Sequence, residues 1–201
     1  MPRLSMSSIR SMLLLVCASA ASAQPETIQL GMSVPLTGNA SGIGQSYKNG
    51  VELAINQLNK EGGVQGAKVQ LLVKDDQYEP ELTVRNTRQF IIENNILALF
   101  AYVGTPTSSA ILPLLQHYQT PYITPFTGAS LLRQPEHSFI YHLRAGYDEE
   151  TQSQVDYLLT KPDTTVGLLL QADEFGASVE QGYLKALQLK GISPVVTARF
   201  Q

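Results

Sequence analysis

An α/β fold, with a parallel sheet and helices on both of its faces, is the class this sequence predicts. Three observations lead to it. Short apolar or alternating runs recur between segments of helical spacing, so strand and helix alternate along the chain. The run Ile96-Leu97-Ala98-Leu99-Phe100-Ala101 is apolar without interruption, as a strand buried on both faces has to be. Finally, clusters of Gly, Ser, Thr and Asn follow the strand runs, so turns gather at the carboxyl ends of the strands.

Taken in order, Ile28 to Val34 alternates and runs into Pro35, a first strand, and 35–44 is a polar loop. Tyr47, Val51, Ala54, Ile55 and Leu58 recur at helical spacing, and Gly62-Gly63 ends that helix. Lys68 to Lys74 is a second strand stopping at Asp75-Asp76. Pro80 suits the first turn of a helix that turns Val84, Thr87, Phe90 and Ile91 inward. The central strand then feeds the turn Val103-Gly104-Thr105-Pro106-Thr107-Ser108 and a helix carrying Ile111, Leu114 and Leu115. Pro113 kinks this helix or marks a later start.

Pro121 to Pro125 is a short fourth strand followed by Phe126-Thr127-Gly128-Ala129, and Phe139 to Leu143 is a fifth. A helix is expected from near Glu149, a strand over Thr165–Leu170, a turn at Asp173–Gly176, a helix over Val179–Leu189 and a strand over Val195–Phe200. Parallel pairing puts the loops 35–44, 75–80, 103–108 and 125–129 on one rim, where ligands bind in open α/β sheets. On that rim Thr105, Thr107 and Ser108, with nearby amides, can hold a carboxylate or phosphate; equally, one hydroxyl can simply cap the helix.

Composition bounds the function. A chain of 201 residues with 43% hydrophobic and 15% charged residues is globular rather than disordered. Arg3 and Arg10, the apolar stretch Met12–Ala18 and Ala21-Ser22-Ala23 form a secretory signal over residues 1–23, too short in its apolar part to span a bilayer. Acylation of Cys17, the single cysteine, is the rival reading of this segment. Cleavage after Ala23 takes Lys+Arg from 14 to 12 against 17 Asp+Glu and leaves a cysteine-free chain of charge −5, unsuited to nucleic acid or an anionic membrane.

Rival chemistries find little support. Gly42-Ile43-Gly44 precedes a helix, but Tyr47 stands where a dinucleotide fingerprint has its third glycine. His117, His137 and His142 match no metal spacing, so no metal site is expected. Asp75-Asp76 can be an acid pair, a cation site or a structural cap. No nucleophile, base and orienter stand together, so no catalytic residue is assigned and no cofactor is expected.

A series of fragments in order resembles the periplasmic leucine/isoleucine/valine-binding protein family, the type I solute-binding proteins of ABC importers. They are Pro35-Leu36-Thr37-Gly38 with Gly42 and Gly44, Asn49-Gly50, Ile55-Asn56, Glu61-Gly62-Gly63-Val64-Gln65-Gly66, Asp75-Asp76 before Pro80, and Val103-Gly104-Thr105. Pro125-Phe126-Thr127-Gly128-Ala129, Arg144-Ala145-Gly146-Tyr147-Asp148 and Phe175-Gly176 continue the series. The resemblance implies a ligand-binding lobe over 24–143 and an incomplete second lobe over 144–201, about half of the family's usual length.

It also implies a role. The protein is expected to be a periplasmic monomer that captures a branched-chain or related amino acid between its lobes and docks on an importer permease. A ligand-sensing ectodomain or amide-type regulator with the same fold is the alternative. By position, Thr105 and its turn take the ligand carboxylate, Phe126 and Thr127 the ammonium, with Asp148. Ser41 and Ile43 line the side-chain pocket, and Phe175 supplies an aromatic from the second lobe. Pro106 and Phe126 depart from the family pattern, the first by removing an N–H from the turn, the second by adding bulk.

Overall fold

The first strand, β1 (Ile28–Val34), is flanked on both sides, and the architecture follows from that. The computed structural model describes residues 27–201; the signal segment 1–23 lies outside them. β1 pairs in parallel with β2 (Val69–Asp75) from Ile28 opposite Val69 to Val34 opposite Asp75. On its other edge it pairs with β3 (Ala98–Phe100), Gly31 opposite Leu99. β4 (Tyr122–Ile123) and β5 (Ile140–Tyr141) continue outward, giving the order β2-β1-β3-β4-β5, all parallel. A second sheet holds β6 (Gly167–Gln171) and β7 (Val196–Phe200), also parallel.

Helices cover both faces of the larger sheet. α1 (Ser41–Lys60) sets Tyr47 and Val51 on Met32, Val34, Ala101 and Val103. On the opposite face, α2 (Pro80–Ile92) inserts Phe90 among Leu99, Tyr102, Ile111, Leu115 and Tyr122. α2 also buries Thr83, Asn86 and Thr87, which hydrophobic periodicity did not single out as a group. These polar groups are buried because each finds a partner: Thr83 with Asp76, Asn86 with Ser33, Thr87 with the Tyr102 hydroxyl.

Several boundaries move from their expected places, each for a local reason. α1 starts at Ser41, inside the range predicted as loop. The helix after the central strand is two helices, α3 (Thr105–Ala110) and α4 (Leu112–Tyr118), meeting at Ile111, with Pro113 in the first turn of the second. Of the two readings of Pro113, the later start holds. α5 (Tyr147–Leu158) begins two residues before Glu149, bringing Tyr147 and Asp148 into its first turn. α6 (Glu174–Leu189) absorbs the predicted turn, because the Asp173 carboxylate accepts from the Gly176 amide at 3.0 Å and caps it. Phe175 therefore stands on a helix, not in a turn.

The rim is shaped by two kinks. Ala101 and Thr124, just past β3 and β4, both have positive φ, 59° and 50°. Beyond the kinks the two segments meet again as a parallel bridge between Val103 and Phe126. The pairing continues past the sheet proper and holds the two loops side by side.

Gly44 fixes how α1 enters. A Cβ there would fall inside the Pro35 carbonyl, so the helix backbone rests directly on the loop after β1. Gly44→Ala is expected to destabilise the fold by roughly 1–3 kcal/mol through overpacking, although Ala is the better helix former by about 1 kcal/mol. Urea unfolding of the two proteins measures the sign.

Candidate functional site

Because β1 lies between β2 and β3, the chain leaves their carboxyl ends in opposite directions and opens a crevice at the switch point. A hollow of about 890 Å³ lies there. All four predicted rim loops contribute: Gly38, Asn39 and Ala40 after β1, Gln77, Tyr78 and Glu79 after β2, Val103, Gly104 and Thr105 after β3, and Phe126 after β4. The opposite wall comes from the crossing and the second unit, with Arg144, Tyr147, Glu150, Phe175, Tyr183 and Phe200.

Of the residues singled out from sequence, Ile43, Thr105, Phe126 and Phe175 line this hollow. The other five do not. Ser41 begins α1, its amide accepted by the Gly38 carbonyl at 3.2 Å. Thr107 turns inward and its hydroxyl donates to the carbonyls of Val103 (2.6 Å) and Gly104 (3.1 Å). Ser108 is in the core, 2.8 Å from the Tyr122 hydroxyl, so its partner is a buried phenol. Asp148 faces outward to Lys185 at 2.7 Å. Thr127 lies behind Thr105, fully buried.

Thr105 and Thr127 belong to one hydroxyl chain. Their oxygens are 2.7 Å apart, and Thr127 donates to the Tyr147 phenol at 3.3 Å while accepting from the Ala129 amide at 3.2 Å. A hydroxyl has one proton. With Thr127's proton directed to Tyr147, Thr105 must supply the proton between the two threonines. The phenol of Tyr147 ends the chain with its own proton free of partners among the described residues. The donor that the sequence assigned to Thr105 is thereby passed to Tyr147.

Arg144 is the cation of this wall. Its guanidinium stacks over Phe126 (5.1 Å to the ring centre) and Tyr147 (5.4 Å), and its Nε donates to Glu150 Oε1 at 3.0 Å. Its Nη2 reaches the same oxygen at 2.5 Å, leaving the Nη1 edge uncommitted. The segment that carries it is braced by Arg133, from the connection between β4 and β5, whose Nη2 donates to the carbonyls of Arg144 (2.8 Å) and Ala145 (3.1 Å). Neither Arg144 nor Tyr147 was picked from sequence, although both stand in the Arg144–Asp148 motif.

The acid pair takes the structural role among its three readings. Asp75 accepts from the amides of Leu36 (2.8 Å), Gln77 (3.0 Å) and Thr37 (3.3 Å) and from the Thr37 hydroxyl (2.5 Å). Burial alone would raise its pKa; the Thr37 hydroxyl and the Leu36, Gln77 and Thr37 amides outweigh it and hold the carboxyl below its usual range. Asp76, fully buried, is pushed up by desolvation despite bonds from Tyr78, Ser33 and Thr83. Among the described residues no group of three or more His, Cys, Asp or Glu is placed to hold a metal, and His142 bonds the Leu132 carbonyl at 3.0 Å.

The two acids have opposite linkage to pH. A depressed folded pKa gives stability above the unfolded value, lost as pH falls through the folded one; a raised pKa does the reverse. Asp75→Asn is expected to be less stable than the parent at pH 7, with the deficit shrinking as pH drops below about 4, the ordinary carboxylate range. Asp76→Asn should gain on the parent as pH rises above that range. Urea unfolding at pH 3.5, 5 and 7 checks both signs.

Comparison with known proteins agrees with this architecture. The family described as periplasmic binding protein matches residues 27–201. The Leu/Ile/Val-binding protein homolog 3 of Brucella melitensis is 30% identical over 178 residues, which are 87% of this chain and 48% of that protein. A solved structure of a possible leucine/isoleucine/valine-binding protein from Rhodopirellula baltica superposes with a TM-score of 0.83 at 31% identity, covering 90% of this chain and 50% of that one. The periplasmic substrate-binding protein of Ralstonia solanacearum gives 0.82 at 28% identity, over 86% and 49%. The chain spans about half the length of the curated relatives it matches. Its fold is that of the type I periplasmic binding proteins, a family of binders rather than enzymes, and the chain belongs to the periplasmic binding protein family.

Proposed function

We propose that this chain is solute-binding machinery of an ABC importer working in the periplasm, and that it captures a branched-chain or related amino acid. The observation that carries the proposal is the hollow at the switch point, with one wall from each unit of the chain and both polar and apolar residues in its lining. The names of the relatives, Leu/Ile/Val-binding proteins, support the amino acid class. We assign a lobe over 24–143 and part of a second over 144–201, joined by the crossing at Arg144; the presence of two separate sheets supports this division.

In this reading the ligand carboxylate lies at the Gly104–Thr105 turn, within reach of the Tyr147 phenol and the uncommitted edge of Arg144. A buried carboxylate needs such charge-assisted partners to offset the loss of its water. Ile43, Phe126 and Phe175 provide the apolar surface for the side chain. Closure of the second lobe over the ligand, followed by docking on a membrane permease as a monomer, completes the transport role. Among the described residues no helix is long and apolar enough to cross a membrane.

Calorimetric titration of the chain with L-leucine, L-isoleucine and L-valine tests the proposal. Saturable heat without turnover is the expected outcome; no heat with any of the three removes the amino acid reading. Tyr147→Phe deletes the last proton of the hydroxyl chain and should weaken binding by about 1.5–3 kcal/mol, the range of a hydrogen bond to a charged group. Unchanged affinity in this variant would place the carboxylate elsewhere.

A further inference from the structure

The strained turn after β2 lines the hollow, but the solute reading above gives it no role of its own. Gln77 and Tyr78 are consecutive residues with φ of 55° and 68°, a left-handed backbone that non-glycine residues seldom adopt. A different carboxylate holds each one. The Gln77 amide donates to Asp75 Oδ1 and the Tyr78 amide to Asp76 Oδ1, both at 3.0 Å. These carboxylates are themselves tied to separate elements, Asp75 to Leu36 and Thr37, Asp76 to Ser33 in β1 (2.8 Å) and Thr83 in α2 (3.2 Å).

The turn carries the Tyr78 ring across the rim onto the next loop. A Cβ built at Gly104 would lie 2.5 Å from Tyr78 Cε2, so the ring rests on bare backbone that only glycine leaves open. Gly104 has a φ of 111° as well, which excludes other residues independently. The ring lines the hollow beside Thr105. Burial, and then the Asp173 carboxylate, push its phenol above its ordinary range.

We propose that Tyr78 is a specificity-determining wall that limits the width of solute accepted beside the Gly104–Thr105 turn, and that Asp75 and Asp76 are positioning residues for it. This rests on the acid site proposed above. The space over Gly104 is filled by a ring whose backbone is held by a turn anchored to β1 and α2, so a wide solute must push the ring off Gly104 to enter. The selection falls on bulk near the acid group, and a small aliphatic amino acid is favoured over an aromatic one.

The test titrates the parent, Tyr78→Ala, Tyr78→Phe and Asp76→Ala with L-leucine and L-phenylalanine. Tyr78→Ala should shift the affinity ratio at least tenfold toward L-phenylalanine, Tyr78→Phe should keep it within twofold, and Asp76→Ala should move it in the direction of Tyr78→Ala. A ratio unchanged within twofold in Tyr78→Ala, with the parent's circular dichroism, overturns the wall. Where Asp76→Ala does not fold, Asp76→Asn takes its place. Without any ligand, the Tyr78 ring gives the Gly104 protons a ring-current displacement in NMR spectra. Its loss in Tyr78→Ala and reduction in Asp75→Asn and Asp76→Ala support positioning, and its persistence in both acid variants overturns it. A parent that binds neither amino acid defeats the solute reading and the wall with it, while the Gly104 displacement still decides the role of the acids.

Discussion

The parallel pairing of β1 with β2 on one side and β3 on the other is the constraint from which the rest of the structure follows. Parallel strands require crossovers, crossovers put helices on the faces, and the reversal of direction beside β1 leaves a gap at the carboxyl ends of the strands. The loops that end β1, β2 and β3 are brought to that gap from positions scattered along the chain. The Val103–Phe126 bridge then holds the loop after β4 against the loop after β3.

Polar groups finish what the sheet begins. One carboxylate, Asp75, accepts from both the loop after β1 and the loop after its own strand, so two walls of the hollow are tied to a single side chain. On the facing wall, Arg144 is held between two rings and Glu150. Its charge is therefore balanced within the protein, while its Nη1 edge has no partner among the described residues. The hydroxyl chain from Thr105 through Thr127 to Tyr147 crosses from the first sheet's rim to α5. A chain of single-proton groups has one free end, and here that end is the phenol.

The second sheet follows a simpler rule. Leu168 and Leu170 face Val155, Ala186 and Leu187, while Leu169 between them is exposed, the period of two expected of a half-covered strand. α5 meets the first sheet's rim through Tyr147, whose phenol accepts from Thr127, and the Tyr147 ring packs edge to face on Phe175 of α6 at 5.6 Å.

Local chemistry was legible in the sequence. The strands, the order of helices and the four rim loops all come from apolar periodicity and from Gly and Pro, which act within a few residues. Thr105 was picked out by its turn, and Ile43, Phe126 and Phe175 only by the family resemblance; all four line the hollow. Tertiary structure decided which hydroxyl faces which neighbour. Ser108 turned to Tyr122, and Thr107 to its own backbone, because a buried hydroxyl takes the partner that packing supplies and the sequence does not show that partner. The same holds for Tyr78, Arg144 and Tyr147. Each belonged to a recognisable segment, but its place in the hollow depends on a left-handed turn, a stacked pair of rings and a helix start that exist only when distant segments are packed together.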